Sequence, residues 1–448
     1  MIPRKKTCHT QFKAYRSLML PIFIVLFMIS ATVFAETNRP QITITPGEAM
    51  MDQKVTIRLQ NFIPDQVITL HTRLSYQGDQ WISEATYRVN SRGVIDLNTQ
   101  PSLGGSYKGV EPMGLFWSLA PSGEKLGERA ANIMQITATI NNHLMAAGEF
   151  LPILVRPGII KRMVRSNDLV GTFYYPRAPG SYPGVIVLDG PEGGLNETQA
   201  ATLAAHGYAT LALAYSGIER LPRQLNKIPL EYFETAINWL QSQDMVAKDK
   251  IAVLGTSKGA ELALLLGANF PVIRAVVAYS PSAVVWQGPD SSGKTPASSW
   301  TYHGKQLPYV PFQTSIFSSF RAKVPYKESL NNQEAVKTAS IPVEKINGPV
   351  LLISGRDDQI WPSTQMAQSI IKRLKKNRHP YQDKHLSYPG AGHIFKLFYL
   401  PSTTSANPKN NFGGTLKNNY QAGWNSWEQA VGFLDKALNP DLKTRTKK

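Results

Sequence analysis

The sequence predicts an α/β protein in which an all-β sandwich precedes a mostly parallel sheet with helices on both faces. Three observations predict it. Short segments between Pro40 and Pro157 alternate apolar with polar residues, which suits half-buried strands. Beyond Pro157 the apolar runs stop alternating, as strands buried on both faces should, and helical segments separate several of them. A chain of 448 residues is long enough for two or three domains, and 42% hydrophobic with 18% charged residues excludes global disorder.

In chain order, the first 35 residues come first and differ from the rest. Arg4, Lys5, Lys6, Lys13 and Arg16 precede the apolar run "LMLPIFIVLFMISATVFA", with Val33 and Ala35 at the two positions a signal peptidase reads. This reads as a secretory signal over 1–35, cleaved after Ala35, with no membrane span left in the mature chain. The alternative is an uncleaved anchor, because Leu18 to Ala35 is near the minimum length of a span; the small-residue site and the polar "ETNRP" after it favour cleavage. The only cysteine, Cys8, lies inside the leader, so the mature chain has no disulfide and no cysteine-ligated zinc.

The formal charge is +17, of which the five cations of the leader account for part. The remaining Lys and Arg are dispersed except in the tail "LKTRTKK" over 441–448, so no nucleic-acid partner is expected; a basic face suits an anionic substrate better. No His/Glu cluster has metal-ligand spacing, and no cofactor is expected. The sequence implies no particular oligomeric state.

The sandwich is expected over 36–157, from "QITITPG", "KVTIRLQNF", "VITLHTRLSY" and "ATYRVNS". The second domain is expected over 158–440. Its strands are "YPGVIVLDG", "YATLALAYSG", "KIAVLGTS", "IRAVVAYSP" and "GPVLLISGRDD", and "IPLEYFETAINWLQSQ" is a helix between them. Residues 285–337, rich in Ser, Pro, Gly and aromatics, break this rhythm and read as an insertion over the sheet edge.

Chemistry concentrates at "IAVLGTSKGAELALLLG". Gly-x-Ser-x-Gly alone is weak, but here a buried-strand run enters it and a helix leaves it, as the nucleophile elbow of an α/β-hydrolase requires. Ser257 is then the nucleophile, and an acid and a histidine must follow in that order. Asp357 and Asp358 compete in "LLISGRDDQIWPS"; the pattern Gly-x-x-Asp-x-x-x-Pro fits Gly355, Asp358 and Pro362 and selects Asp358. His393 in "YPGAGHIF" follows a glycine-rich turn. His385 in the preceding strand is a weaker rival, and the other six histidines read as surface or core residues. The oxyanion needs backbone donors: the N–H of Lys258, and one from "PEGGLNE", where Pro191 has none and Glu192 or Gly193 is the candidate. The Lys258 side chain could attract an anionic substrate or turn to the helix surface.

At these residues the chain resembles the acyl-CoA thioesterase / bile acid-CoA:amino acid N-acyltransferase family. The resemblance rests on "GSYKGVEPMGLFWSLAP", "YPGVIVLDGPEGGLNE", "LALAYSGIERLP", "IPLEYFETAINWL", "GTSKGAELAL", "IPVEKINGPVLLISGRDDQIWPS", "YPGAGH" and the late "FGGT". It implies an immunoglobulin-like sandwich followed by an α/β-hydrolase catalytic domain acting on coenzyme A thioesters, with Ser257, Asp358 and His393 as nucleophile, acid and base. Conjugating members carry cysteine where Ser257 stands, so serine favours hydrolysis over transfer to an amine. Acyl-CoA is intracellular whereas an exported chain is expected: either the enzyme meets CoA esters outside its own cytosol, or the scaffold acts on another ester or thioester. A non-catalytic binding protein on the same scaffold is the remaining alternative. In the sandwich, Tyr107, Met113 and Trp117 read as packing residues beside Glu111.

Overall fold

The structure, a computed structural model, describes residues 39–439 except 77, 126–132, 289–295, 314–324, 396–398 and 402–410. The leader expected over 1–35 and the basic tail over 441–448 lie outside the described residues.

The N-terminal strands are β1 (Gln41–Thr45), β2 (Glu48–Met50), β3 (Thr56–Gln60), β4 (Val67–Tyr76), β5 (Asp79–Arg88), β6 (Ile95–Asp96), β7 (Gly104–Gly105), β8 (Ala120–Lys125), β9 (Met134–Ile140) and β10 (His143–Ile153). They form a three-stranded sheet, β1-β3-β6, and a seven-stranded sheet, β2-β10-β9-β4-β5-β7 with β8 also on β5. The alternation that predicted these strands is what buries them. Ile68, Leu70, Thr72 and Leu74 of β4 all point inward, and Leu70 pairs Ala85 and Ala138 on the same face. From the other sheet Ile57 and Leu59 enter the same core. Gly148 of β10 lets the layers approach: a Cβ there would stand 3.1 Å from Cγ2 of Ile42.

The second sheet has eight strands. In chain order they are β11 (Ile159–Val164), β12 (Val170–Pro176), β13 (Tyr182–Leu188), β14 (Ala209–Ala214), β16 (Val246–Thr256), β17 (Ile273–Tyr279), β20 (Val350–Gly355) and β21 (Lys384–Tyr388), and in space they run β11-β12-β14-β13-β16-β17-β20-β21. From β14 to β21 every pairing is parallel, whereas β11, β12 and β14 pair antiparallel. The apolar runs do not alternate because both faces are covered. Val185 and Val187 of β13 join the core under the helices Glu197–Ala205 and Leu416–Leu438; Ile186 and Leu188 join the core under Leu230–Gln241, Lys258–Asn269 and Ser363–Lys376. This architecture is an α/β-hydrolase fold behind an all-β sandwich.

The aromatic-rich stretch after β17 adds a small sheet in which β15 (Ile228–Pro229) pairs β18 (Trp300–Tyr302) and β18 pairs β19 (Lys305–Gln306). A third apolar cluster, with Trp286, Val310, Trp361 and Met366 at its centre, joins this stretch to the chain that follows β20. The parts meet extensively. The core beneath Leu416–Leu438 is continuous with that of the sandwich, and Phe116, Phe150 and Tyr399 pack ring against ring across the junction at 4.6–5.8 Å.

Candidate active site

Ser257 stands between β16 and the helix Lys258–Asn269, with φ 58° and ψ −118°. That left-handed conformation is costly for a residue with a Cβ, by about 1–3 kcal/mol, and survives only where the surroundings enforce it. Here they do. Ser257 N–H donates to Tyr279 O in β17, and Ser257 O accepts from Ala260 and Glu261 in the helix. The two glycines of the motif are there for space: a Cβ on Gly255 would lie 2.0 Å from Gly259 O, and one on Gly259 would lie 2.2 Å from Asp189 O at the end of β13.

His393 Nε2 is 2.8 Å from Ser257 Oγ, and His393 Nδ1 is 2.8 Å from Asp358 Oδ2. The imidazole and the Asp358 carboxylate are both 2% exposed, so their attraction is little screened by water. Asp358 Oδ2 also accepts from Ser363 Oγ at 2.6 Å, and Oδ1 accepts from the backbone N–H of Ile360 and Trp361. The residue types set the roles open to them: a hydroxyl whose proton can pass to an imidazole, and an anion that holds the imidazole in one tautomer.

The neighbouring carboxylate is committed elsewhere. Asp357 Oδ2 accepts from Gly414 N–H, and Oδ1 accepts from the side chain of Gln359. His385 Nε2 meets Ser354 Oγ at 2.8 Å, and burial pulls its pKa below the ordinary histidine value. Of the other histidines, His71 lies beside Thr139, His206 beside Asp52 and His379 beside Asp383.

Between β13 and β14 the turn "DGPEGG" corrects one expectation. Gly193 N–H donates to Gly190 O at 3.0 Å, so that group is already used inside the turn, and Glu192 remains as the candidate second donor. Tyr215 braces the turn by donating its hydroxyl to Asp189 O and Gly190 O, and burial pushes that phenol's pKa well up. Lys258 N–H stands at the first helical position, where no carbonyl one turn back exists to accept it. Neither expectation for the Lys258 side chain holds: it points into the interior and pairs with Glu261 at 2.7 Å.

Several residues at the site went unread in the sequence. Ser363 is one; Ser280 is another, its hydroxyl holding His393 O at 2.6 Å. Neither serine stands in a local pattern that marks it. The "FGGT" segment did carry a signal in its two glycines. His393 N–H donates to Phe412 O, and a Cβ on Gly413 would fall 1.8 Å from Asp357 O, so this segment clamps the loops of acid and histidine together. Trp361 presents to the His393 ring at 5.5 Å and 80°, and its indole N–H donates to Ser280 O.

A mostly parallel sheet with this serine turn, and with an imidazole and a carboxylate in line at its carboxyl edge, defines a member of the α/β-hydrolase class. Family models narrow it further. Residues 52–152 match the N-terminal region of the acyl-CoA thioester hydrolase/BAAT family, and residues 228–440 match the BAAT / acyl-CoA thioester hydrolase C-terminal region. The chain is 32% identical to the mouse (Mus musculus) bile acid-CoA:amino acid N-acyltransferase, over 90% of this chain and 99% of that one. It is 29% identical to the mitochondrial acyl-coenzyme A thioesterase 2 of the same species, over 97% and 96%. Among solved structures, an α/β hydrolase enzyme from a Medee basin deep-sea metagenome library aligns with 62% of this chain and 97% of its own, with 18% identity and a TM-score of 0.38. The chain belongs to the acyl-CoA thioester hydrolase/BAAT family.

Proposed function

We propose that this protein is a serine hydrolase that cleaves acyl thioesters of the coenzyme A type through a covalent acyl-enzyme. The observation that carries the reading is the line Ser257–His393–Asp358, two contacts of 2.8 Å, in a chain of this family. His393 Nε2 takes the Ser257 proton as Oγ attacks the acyl carbon. The tetrahedral oxyanion collapses, the C–S bond breaks, and the thiolate leaves with the proton from His393. Water then enters; His393 removes its proton, the C–Oγ ester bond breaks, and the proton returns to Ser257 as the carboxylic acid departs. The N–H groups of Lys258 and Glu192 are the proposed donors to the oxyanion, and Asp358 steadies the imidazolium.

Transfer to an amine is the second reading, favoured by the N-acyltransferase among the relatives. Both readings share the acyl-enzyme and differ in what deacylates it. An oxygen ester on serine is readily opened by base-activated water, whereas a cysteine thioester is more open to amines. With glycine or taurine supplied beside an acyl-CoA, the expected product is therefore free acid. Acyl-amino acid as the main product would reverse the assignment.

We also propose export through the leader over 1–35, on the strength of its cationic start, apolar run and small-residue site. Among the described residues no helix is long and apolar enough to cross a membrane. Sequencing the N-terminus of the expressed protein should begin at Glu36; a chain retaining Met1 in a membrane fraction would mean an anchor.

A further inference from the structure

The proposed chemistry uses Lys258 through its backbone alone and leaves its side chain without a task. That side chain is 2% exposed and its partner Glu261 is wholly buried. The ammonium lies 2.7 Å from both carboxylate oxygens of Glu261, 2.9 Å from Ser299 Oγ and 5.4 Å from the centre of the Trp300 ring. Glu261 Oε1 also accepts from Trp300 Nε1 at 2.7 Å and from Trp286 N–H at 3.3 Å, while Ser299 Oγ donates to Trp286 O. Two charges on the helix that begins at the nucleophile are thus satisfied by one another and by Trp286, Ser299 and Trp300, which follow β17 in the chain.

Burial opposes both charges, pulling Lys258 below the lysine range and pushing Glu261 above the carboxylate range, each partly offset by the other. An apolar pair of similar volume would serve stability as well or better. What an apolar pair lacks is direction: three hydrogen bonds, from Lys258 to Ser299 and from Trp286 and Trp300 to Glu261, set the register of these residues against the helix, and apolar contact does not. The register matters at the reacting atoms. Trp286 stacks on Trp361 at 6.4 Å, and Trp361 meets the His393 imidazole at 5.5 Å. On the other side, Lys258 N–H adjoins Ser257.

We propose that Glu261, acting through the Lys258 ammonium, is a positioning residue for acyl transfer. It holds Trp286, Ser299 and Trp300 in register with the nucleophile helix, and so keeps Lys258 N–H aimed at the oxyanion and the Trp286–Trp361 wall against His393. The proposal rests on the acyl-transfer reading above and deepens it.

The test uses residues 36–448 with Glu261→Gln and the double variant Lys258→Met/Glu261→Met, compared with wild type and Ser257→Ala. Three quantities are read: the rate of Ser257 labelling by a fluorophosphonate, the affinity for an alkyl boronic acid that forms a tetrahedral adduct, and kcat and KM per labelled site. Positioning predicts that labelling rate, boronate affinity and kcat fall together by about tenfold or more, with KM within about twofold. A purely structural pair would change the melting temperature and leave those rates per site alone. If Glu261→Gln does not fold, the double variant, with no charge left buried, decides by itself. A folded double variant with wild-type labelling and kcat, or a change confined to KM, overturns the proposal. Wild type that is unlabelled at Ser257 overturns the acyl-transfer reading and this proposal with it, an outcome distinct from labelled wild type with full-rate variants.

Discussion

Asp357 and Asp358 are neighbours in sequence with unrelated surroundings. Asp358 faces the imidazole, Ser363 and two backbone N–H groups, whereas Asp357 ties the end of β20 to Gly414. Asp358→Asn should therefore cut kcat by roughly 10³–10⁴-fold, since an amide favours the wrong histidine tautomer, while Asp357→Asn should stay within about tenfold of wild type. Steady-state kinetics on the two purified variants checks this, and equal losses would mean the acid is misassigned. At this scale the sequence carried the three side chains that the structure brings into line, because their order and strand-end placement are fixed by the fold. It did not carry Ser363, Ser280 or the buried destination of Lys258, because one serine or lysine leaves no periodic trace, and Ser280 and Lys258 also meet His393 and Ser299 from far along the chain. The proposed second oxyanion donor was legible only as a turn: the preference for Glu192 over Gly193 rests on the bond from Gly193 to Gly190.

The element that matters most is the strand-turn-helix unit of β16, Ser257 and Lys258–Asn269. Every residue from Lys258 to Gly267 is buried, so the helix has no face on which to give way. Gly259→Ala places a Cβ 2.2 Å from a backbone oxygen of Asp189, and overpacking of that kind should cost about 3 kcal/mol or more. The expected result is a steep fall in denaturation midpoint, read by urea unfolding; an unchanged midpoint would mean that β13 and the helix are less tightly opposed than described. The central strands were legible because runs such as "VIVLDG" and "IAVLG" are apolar on both faces. β9 and β10 were less legible, as "MQITATI" and "HLMAAGEFLPI" mix polar residues into a weaker alternation. The stretch over 285–337 was legible as an interruption; its described part contributes Trp286 and Trp300 to the nucleophile helix through distances in sequence that no local pattern encodes.

Across the whole molecule, the sandwich and the hydrolase fold are joined by a few polar bonds set in a shared apolar core. Asp52 is central: its Oδ2 accepts from Trp427 Nε1 at 2.8 Å and pairs with His206 at 2.5 Å. Nearby, Tyr399 donates to Gln53 O, the Lys54 ammonium lies over Trp424, and Glu111 pairs with Lys417. Tyr107 and Met113 are buried in the shared core, packing as the sequence suggested, with Tyr107 held to Tyr87 by a hydroxyl bond. Asp52→Ala strands the Trp427 indole N–H in a partly buried place, at a cost of about 1–3 kcal/mol. Calorimetry should show a lower melting temperature while fluorophosphonate labelling of Ser257 stays at the wild-type rate. Labelling that falls with stability would place the sandwich in the catalytic machinery.

The central claim is that Ser257 accepts an acyl group from a coenzyme A thioester. Free-thiol release from a panel of acyl-CoA esters by residues 36–448, with Ser257→Ala as control, tests it most directly. The account predicts release by wild type and none above background from the variant. Equal release by both proteins, or no release by wild type on any ester of the panel, would contradict it.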